Sequence, residues 1–99
     1  MADTPDDLSI NYFEEGVQTV KELDKKVLSK GAWTTIIFKH QDWDRAKDQF
    51  GAIKFSIRRY QKRNGVYMQR SKFNISSIDQ AQQIIEVLTQ WLAQEPTES

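Results

Sequence analysis

The chain has 99 residues, no cysteine, and fourteen basic against fourteen acidic residues, so its formal net charge is zero. That length fits one domain with a small core, and the lack of cysteine excludes a disulfide framework or a thiolate metal site. No apolar run approaches the roughly 18 residues needed to span a membrane, and an acidic start containing Pro5 is unlike a presequence; both point to a cytoplasmic protein.

Residues 1–15 read as a flexible acidic arm carrying Tyr12 and Phe13 as candidate docking residues. Residues 17–28 stand open between two readings. Val17, Val20, Leu23 and Val27 suit a helix, while Val17, Thr19, Lys21, Leu23, Lys25 and Val27 suit one face of a polar strand. Ser29-Lys30-Gly31 is a turn signal, and residues 32–43, rich in Thr, Ile, Phe and Trp, predict a strand. A charged loop over 44–51 leads to a second clear strand over 52–63. Asn64-Gly65 is a hairpin signal, and 66–75 is the returning strand. Ser77 with Gln80 has capping-box spacing, and Ala81, Ile84, Ile85, Leu88, Trp91 and Leu92 follow at helical intervals until Pro96. The expected domain, residues 16–95, is therefore α+β: antiparallel strands followed by one long C-terminal helix, with 96–99 as a tail.

Charge is sorted along the chain. The thirty residues from Gln49 to Ile78 contain no Asp or Glu but carry Lys54, Arg58, Arg59, Lys62, Arg63, Arg70 and Lys72, a local charge of +7. Gathered on one surface, such a block attracts polyanions by counterion release. Hairpin register decides the grouping. A two-residue Asn64-Gly65 loop pairs Arg63 with Val66 and Ile57 with Lys72, which mixes apolar and charged groups on both faces. A three-residue Arg63-Asn64-Gly65 loop closed by a glycine bulge instead separates them. Ile53, Phe55, Ile57, Tyr67, Phe73 and Ile75 then form a face for the helix, received through Ile84, Ile85 and Leu88. Lys54, Ser56, Arg58, Tyr60, Lys62, Met68, Arg70, Lys72 and Asn74 form the other. The second register is the expectation. It sets Arg58 opposite Arg70, a repulsive pair that an anion would relieve.

In the preceding strand, alternation separates Trp33, Lys39 and Trp43 from Ile36, Phe38 and His40. With Ile36 and Phe38 in the core, Trp33, Lys39 and Trp43 become candidates for the basic face. Cations beside aromatic rings are the surface chemistry of single-stranded nucleic-acid binding. Packing of Trp33 and Trp43 at strand ends or between subunits is the competing reading. His40, the sole histidine, reads as a surface or edge-strand residue, and with Asp42 and Asp44 it makes a poor metal site. No phosphate loop, nucleophile or paired carboxylates stand out, so no enzyme, metal or cofactor is expected.

The run IKFSIRRYQKRNGVYMQRSKFNISSIDQAQQIIEVL resembles the C-terminal half of the single-stranded-DNA-binding transcriptional coactivators typified by positive cofactor four, a superfamily that includes Whirly-like proteins. The matching positions are residues 55–60, Gly65, residues 70–75 and the helix from Ser77. KGAWTTIIFK and KRNGVY look closer still to small uncharacterised cyanobacterial proteins of that superfamily. The resemblance implies a curved four-stranded antiparallel sheet followed by a helix (ββββα). It also implies a homodimer built through the helices, here Ile85, Leu88, Trp91 and Leu92, and a single strand lying along the sheet. By position it points to Arg58, Tyr60, Arg70 and Lys72, with Trp33 and Lys39; the charged face adds Lys54 and Lys62. The chain lacks the family's Ser-rich regulatory arm and has an unusually polar first strand.

The expected function is a non-catalytic, transcription-related module that binds single-stranded DNA or RNA. The alternative is an adaptor whose basic sheet recognises an acidic protein partner. A third reading has the acidic arm folding over the basic face as an internal competitor.

Overall fold

The structure, a computed structural model, describes residues 4–95; the first three residues of the expected arm and the expected tail at 96–99 lie outside the described residues. A short 3₁₀ turn, Pro5–Asp7, leads into β1 (Tyr12–Glu14), β2 (Val17–Ser29), β3 (Trp33–Asp44), β4 (Gln49–Phe50), β5 (Lys54–Arg63), β6 (Val66–Ile75) and α1 (Ile78–Gln94). The architecture is α+β, a curled antiparallel sheet in the order β1-β2-β3-β5-β6, with β4 paired to β3 and one C-terminal helix. The sheet has six strands and not the four expected: β2, β3, β5 and β6 are long, and β1 and β4 are short. No helix among the described residues is long and apolar enough to cross a membrane.

The ambiguity of residues 17–28 resolves into strand, for a visible reason. Val20 pairs with Asp42 and Val27 with Ile36, but the register shifts between Glu22 and Asp24. Leu23 is the extra residue, and a bulge reverses the alternation beyond it. Val20 and Val27, seven positions apart, thereby both pack on the core. A strand with such a re-phasing counterfeits helical spacing.

The hairpin differs from the expected register. Arg63 pairs with Val66, so the loop is the two residues Asn64 and Gly65. Both have positive φ, 53° and 78°, as the hairpin-favouring type I′ turn requires. The mixed faces that this loop should cause are avoided lower down. Tyr60 pairs with Gln69 but Arg59 with Ser71, which leaves Arg70 as an unpaired bulge residue. Below that bulge Phe55 meets Ile75, Ile57 meets Phe73, and Arg58 meets Lys72.

Residues 4–11, expected as part of a flexible arm, form a packed strap. Leu8 and Ile10 are only 9% and 6% exposed, and they join Ile36, Phe38 and Tyr60 in one cluster. Polar contacts fasten the strap. Lys25 Nζ donates to the Pro5, Asp6 and Leu8 carbonyls. The Ile10 amide donates to Glu22 Oε1 (3.1 Å), and Asn11 Oδ1 accepts from the Glu22 amide (2.8 Å). The core therefore lies on the face that also bears Arg58, under the strap.

The helix opens as the capping signal predicts, with Ser77 Oγ accepting from the Gln80 amide at 3.0 Å. The reciprocal arm reaches one residue further back: Gln80 Oε1 accepts from the Ser76 amide at 2.9 Å. No residue of α1 is buried. Its apolar stripe faces its own sheet beside Phe73, where Phe73, Ile84, Leu88 and Trp91 line an open groove.

Candidate nucleic-acid interface

Pairing of β3 with β5 fixes which side chains share a face. Ile36 pairs with Arg58, Phe38 with Ser56, and His40 with Lys54. Lys54, Arg58 and Lys72 therefore lie beside the buried Ile36–Phe38 core, and not on the face opposite it as the sequence reading has it. The three cations line a cleft of about 260 Å³, together with Asp42, Asn74 and Ser76.

The basic group is held open by its partners. Arg58 Nε donates to Ser56 Oγ at 3.3 Å, and its NH1 donates to Gln69 Oε1 at 3.1 Å. Ser56 itself is fully buried. Lys72 stands directly across from Arg58, and two like charges in that relation repel. Lys54 Nζ approaches Asp42 Oδ2 at 3.4 Å, the one carboxylate in the cleft. The acid-free stretch thus yields three cations around one cleft, against a single acid contributed by β3.

His40 is 5% exposed, and its Nδ1 lies 3.2 Å from Asp42 Oδ1. Burial pulls its pKa below the ordinary histidine value of 6.5; the Asp42 carboxylate works against that shift, and Arg58 and Lys54 reinforce it. The neutral ring donates from Nδ1, and Nε2 is buried with no hydrogen-bond partner among the described residues. The sequence reading assigned His40 to a surface or edge. Its alternation with Ile36 and Phe38 was the signal that it points inward.

The remaining predicted residues part company. Tyr60 is buried under the strap in the core cluster; its hydroxyl pKa is raised by that burial, against the pull of nearby Arg58. Lys62 is exposed near the hairpin turn, with Nζ 5.5 Å from the centre of the Tyr67 ring. Trp33 pairs with Gln61 and Lys39 with Phe55, which sets both on the opposite face of the sheet. The physical reason is β3's fixed alternation: once Ile36 pairs with Arg58, its neighbours must point away from the cleft. Arg70, displaced by the bulge, donates through Nε to Gln61 Oε1 at 3.1 Å and so also leaves the cleft. On that opposite face the Arg59 guanidinium lies 4.5 Å from the Trp33 ring centre, a stacked cation–π pair.

Ile85, Leu88, Trp91 and Leu92, predicted for subunit contact, are all exposed on α1, Trp91 at 61% and Leu92 at 70%. Comparison with known proteins returns no counterpart: no family model, curated protein or solved structure matches the chain.

Proposed function

We propose that this protein is a non-catalytic module that binds single-stranded DNA or RNA and works as a homodimer. The observation that carries the reading is the Arg58–Lys72 cross-strand pair, joined by Lys54 around one cleft. Asp42 offsets one of the three charges, through Lys54, and a polyanion would relieve the repulsion that remains between Arg58 and Lys72. The strap covers Ile36, Phe38 and Tyr60, so on this face recognition goes through phosphates and not through base stacking.

The uncovered helix supports the dimer. The subunit is 18 Å thick in its thinnest dimension, and its radius of gyration of 15.9 Å exceeds the roughly 13 Å of a compact domain of about 100 residues. Charged side chains of α1 are limited to Asp79 and Glu86, so the stripe through Ile85, Leu88, Trp91 and Leu92 suits an equally apolar copy of itself.

Fluorescence polarisation with labelled DNA and RNA oligonucleotides at two salt concentrations tests the reading. Neutralising three phosphates of a single strand predicts a log–log salt slope of about −2 per protomer. No binding at low salt would overturn it, and capture of an acidic protein that excess oligonucleotide fails to displace would replace it with an adaptor role.

A further inference from the structure

The cleft at Lys54, Arg58 and Lys72 is shaped for more than a passing backbone. Its walls come from β2, β3, β5, β6 and the β6–α1 junction, through Val20, Asp42, Lys54, Lys72, Asn74 and Ser76 among others. Its volume of about 260 Å³ is below the roughly 300–1,000 Å³ of pockets that enclose drug-sized ligands. It has room for a phosphate and the sugar attached to it. Toward Ile36 and Phe38 the face is closed by Leu8 and Ile10 of the strap. A strand cannot continue past the cleft in that direction without unseating two core residues.

Charge agrees with shape. With His40 neutral, the cleft sets three cations against the one carboxylate of Asp42, an excess of two positive charges. Glu22, which pairs with His40 from β2, accepts the strap's Ile10 amide and does not line the cleft. An internal phosphodiester carries one negative charge, whereas a terminal phosphomonoester carries about −1.5 to −2 near pH 7 and three acceptor oxygens. Arg58, Lys54 and Lys72 with the Asn74 side-chain amide line the cleft as donors of the matching kind, while the Ser76 hydroxyl donates to Gln80 Oε1 at 3.4 Å.

We infer that this cleft is a subsite for the terminal phosphomonoester of a nucleic-acid strand, which enters it end-on and stops at the strap. The inference rests on the strand-binding reading and narrows it to strand ends. The test compares matched single-stranded oligonucleotides with a 5′-phosphate, a 3′-phosphate or only hydroxyl ends, by fluorescence polarisation on the full chain. One phosphorylated form is expected to bind about tenfold tighter than the hydroxyl form, because the extra charge is worth about one such factor. Lys72→Gln should erase that gap, while Lys47→Gln, on the β3–β4 turn, should preserve it. Equal affinity for all three oligonucleotides, with the salt dependence intact, would refute the end subsite and leave strand binding standing. A free 5′-mononucleotide that competes as strongly as the phosphorylated oligonucleotide would also refute it, since the ligand would then be a small phosphomonoester. Absence of binding by every oligonucleotide would remove both readings.

Discussion

Lys72→Glu is expected to strengthen the fold and weaken binding at once. Lys72 lies opposite Arg58 on the same face, and it is exposed while Arg58 is half-buried. A like-charge cross-strand pair near the surface costs, and an opposite pair contributes, some ~0.2–1 kcal/mol. Exchanging one for the other should therefore raise unfolding stability by about 0.5–1.5 kcal/mol in low salt, with the gain shrinking as salt is added. For a domain of this size that is roughly 2–12 °C in Tm. In the binding assay the same change removes one phosphate contact. The salt slope should fall by about 0.7, and affinity at low salt by at least about tenfold. Urea denaturation and fluorescence polarisation on the same preparations read both effects. Arg70→Glu is the comparison. If the hairpin closed with three loop residues, Arg70 would face Arg58 and this variant would be the stabilising one. With Arg70 on the bulge and bonded to Gln61, it should give no gain. Stabilisation by Arg70→Glu and none by Lys72→Glu would refute the register and the cleft built on it.

Ile10→Ala should cost about 2–4 kcal/mol, as truncation of a buried aliphatic does, whereas Tyr12→Ala, at an exposed position, should stay within about 0.5 kcal/mol; equal, small effects in thermal unfolding would mean that the strap is not seated. Leu88→Asp puts a charge into the exposed stripe of α1 and should yield a monomer in sedimentation velocity, whereas the parent chain is expected to sediment as a dimer. Since burial lowers the His40 pKa below 6.5, its contribution to stability is complete above the unfolded-state value. It declines as pH falls below about 6.5, where the unfolded chain takes up a proton that the folded chain refuses, by at most about 1.4 kcal/mol per pH unit until the folded value is reached. His40→Gln should flatten that part of the stability–pH curve, and an unchanged curve would show that the ring titrates freely.

Much of the fold was legible locally. The strands over 52–63 and 66–75 follow from β-branched and aromatic content punctuated by Asn64-Gly65, and the observed β6 has the predicted bounds. The start of α1 follows from Ser77 and Gln80. The acid-free stretch identified the cations, and Lys54, Arg58 and Lys72 do converge. Residues 17–28 were less legible because a bulge at Leu23 erases the two-residue period on which strand recognition depends. The strap escaped notice for a different reason. Leu8 and Ile10 are isolated apolar residues among acids and polar groups, and their burial depends on a surface made by β3 and β5, far along the chain.

What the sequence determined alone is therefore the set of elements and the pool of cations, because propensity, turn chemistry and capping act over a few residues. The tertiary structure decided which cations share a cleft. Alternation divides each strand into two faces but does not say which face of one strand joins which face of the next. That choice was made by the Ile36–Arg58 pairing between β3 and β5, which turned Trp33 and Lys39 away. It was completed by the bulge at Arg70, which brought Lys72 across from Arg58. Both are contacts between residues distant in sequence, and a shift of a single residue in either exchanges the two faces.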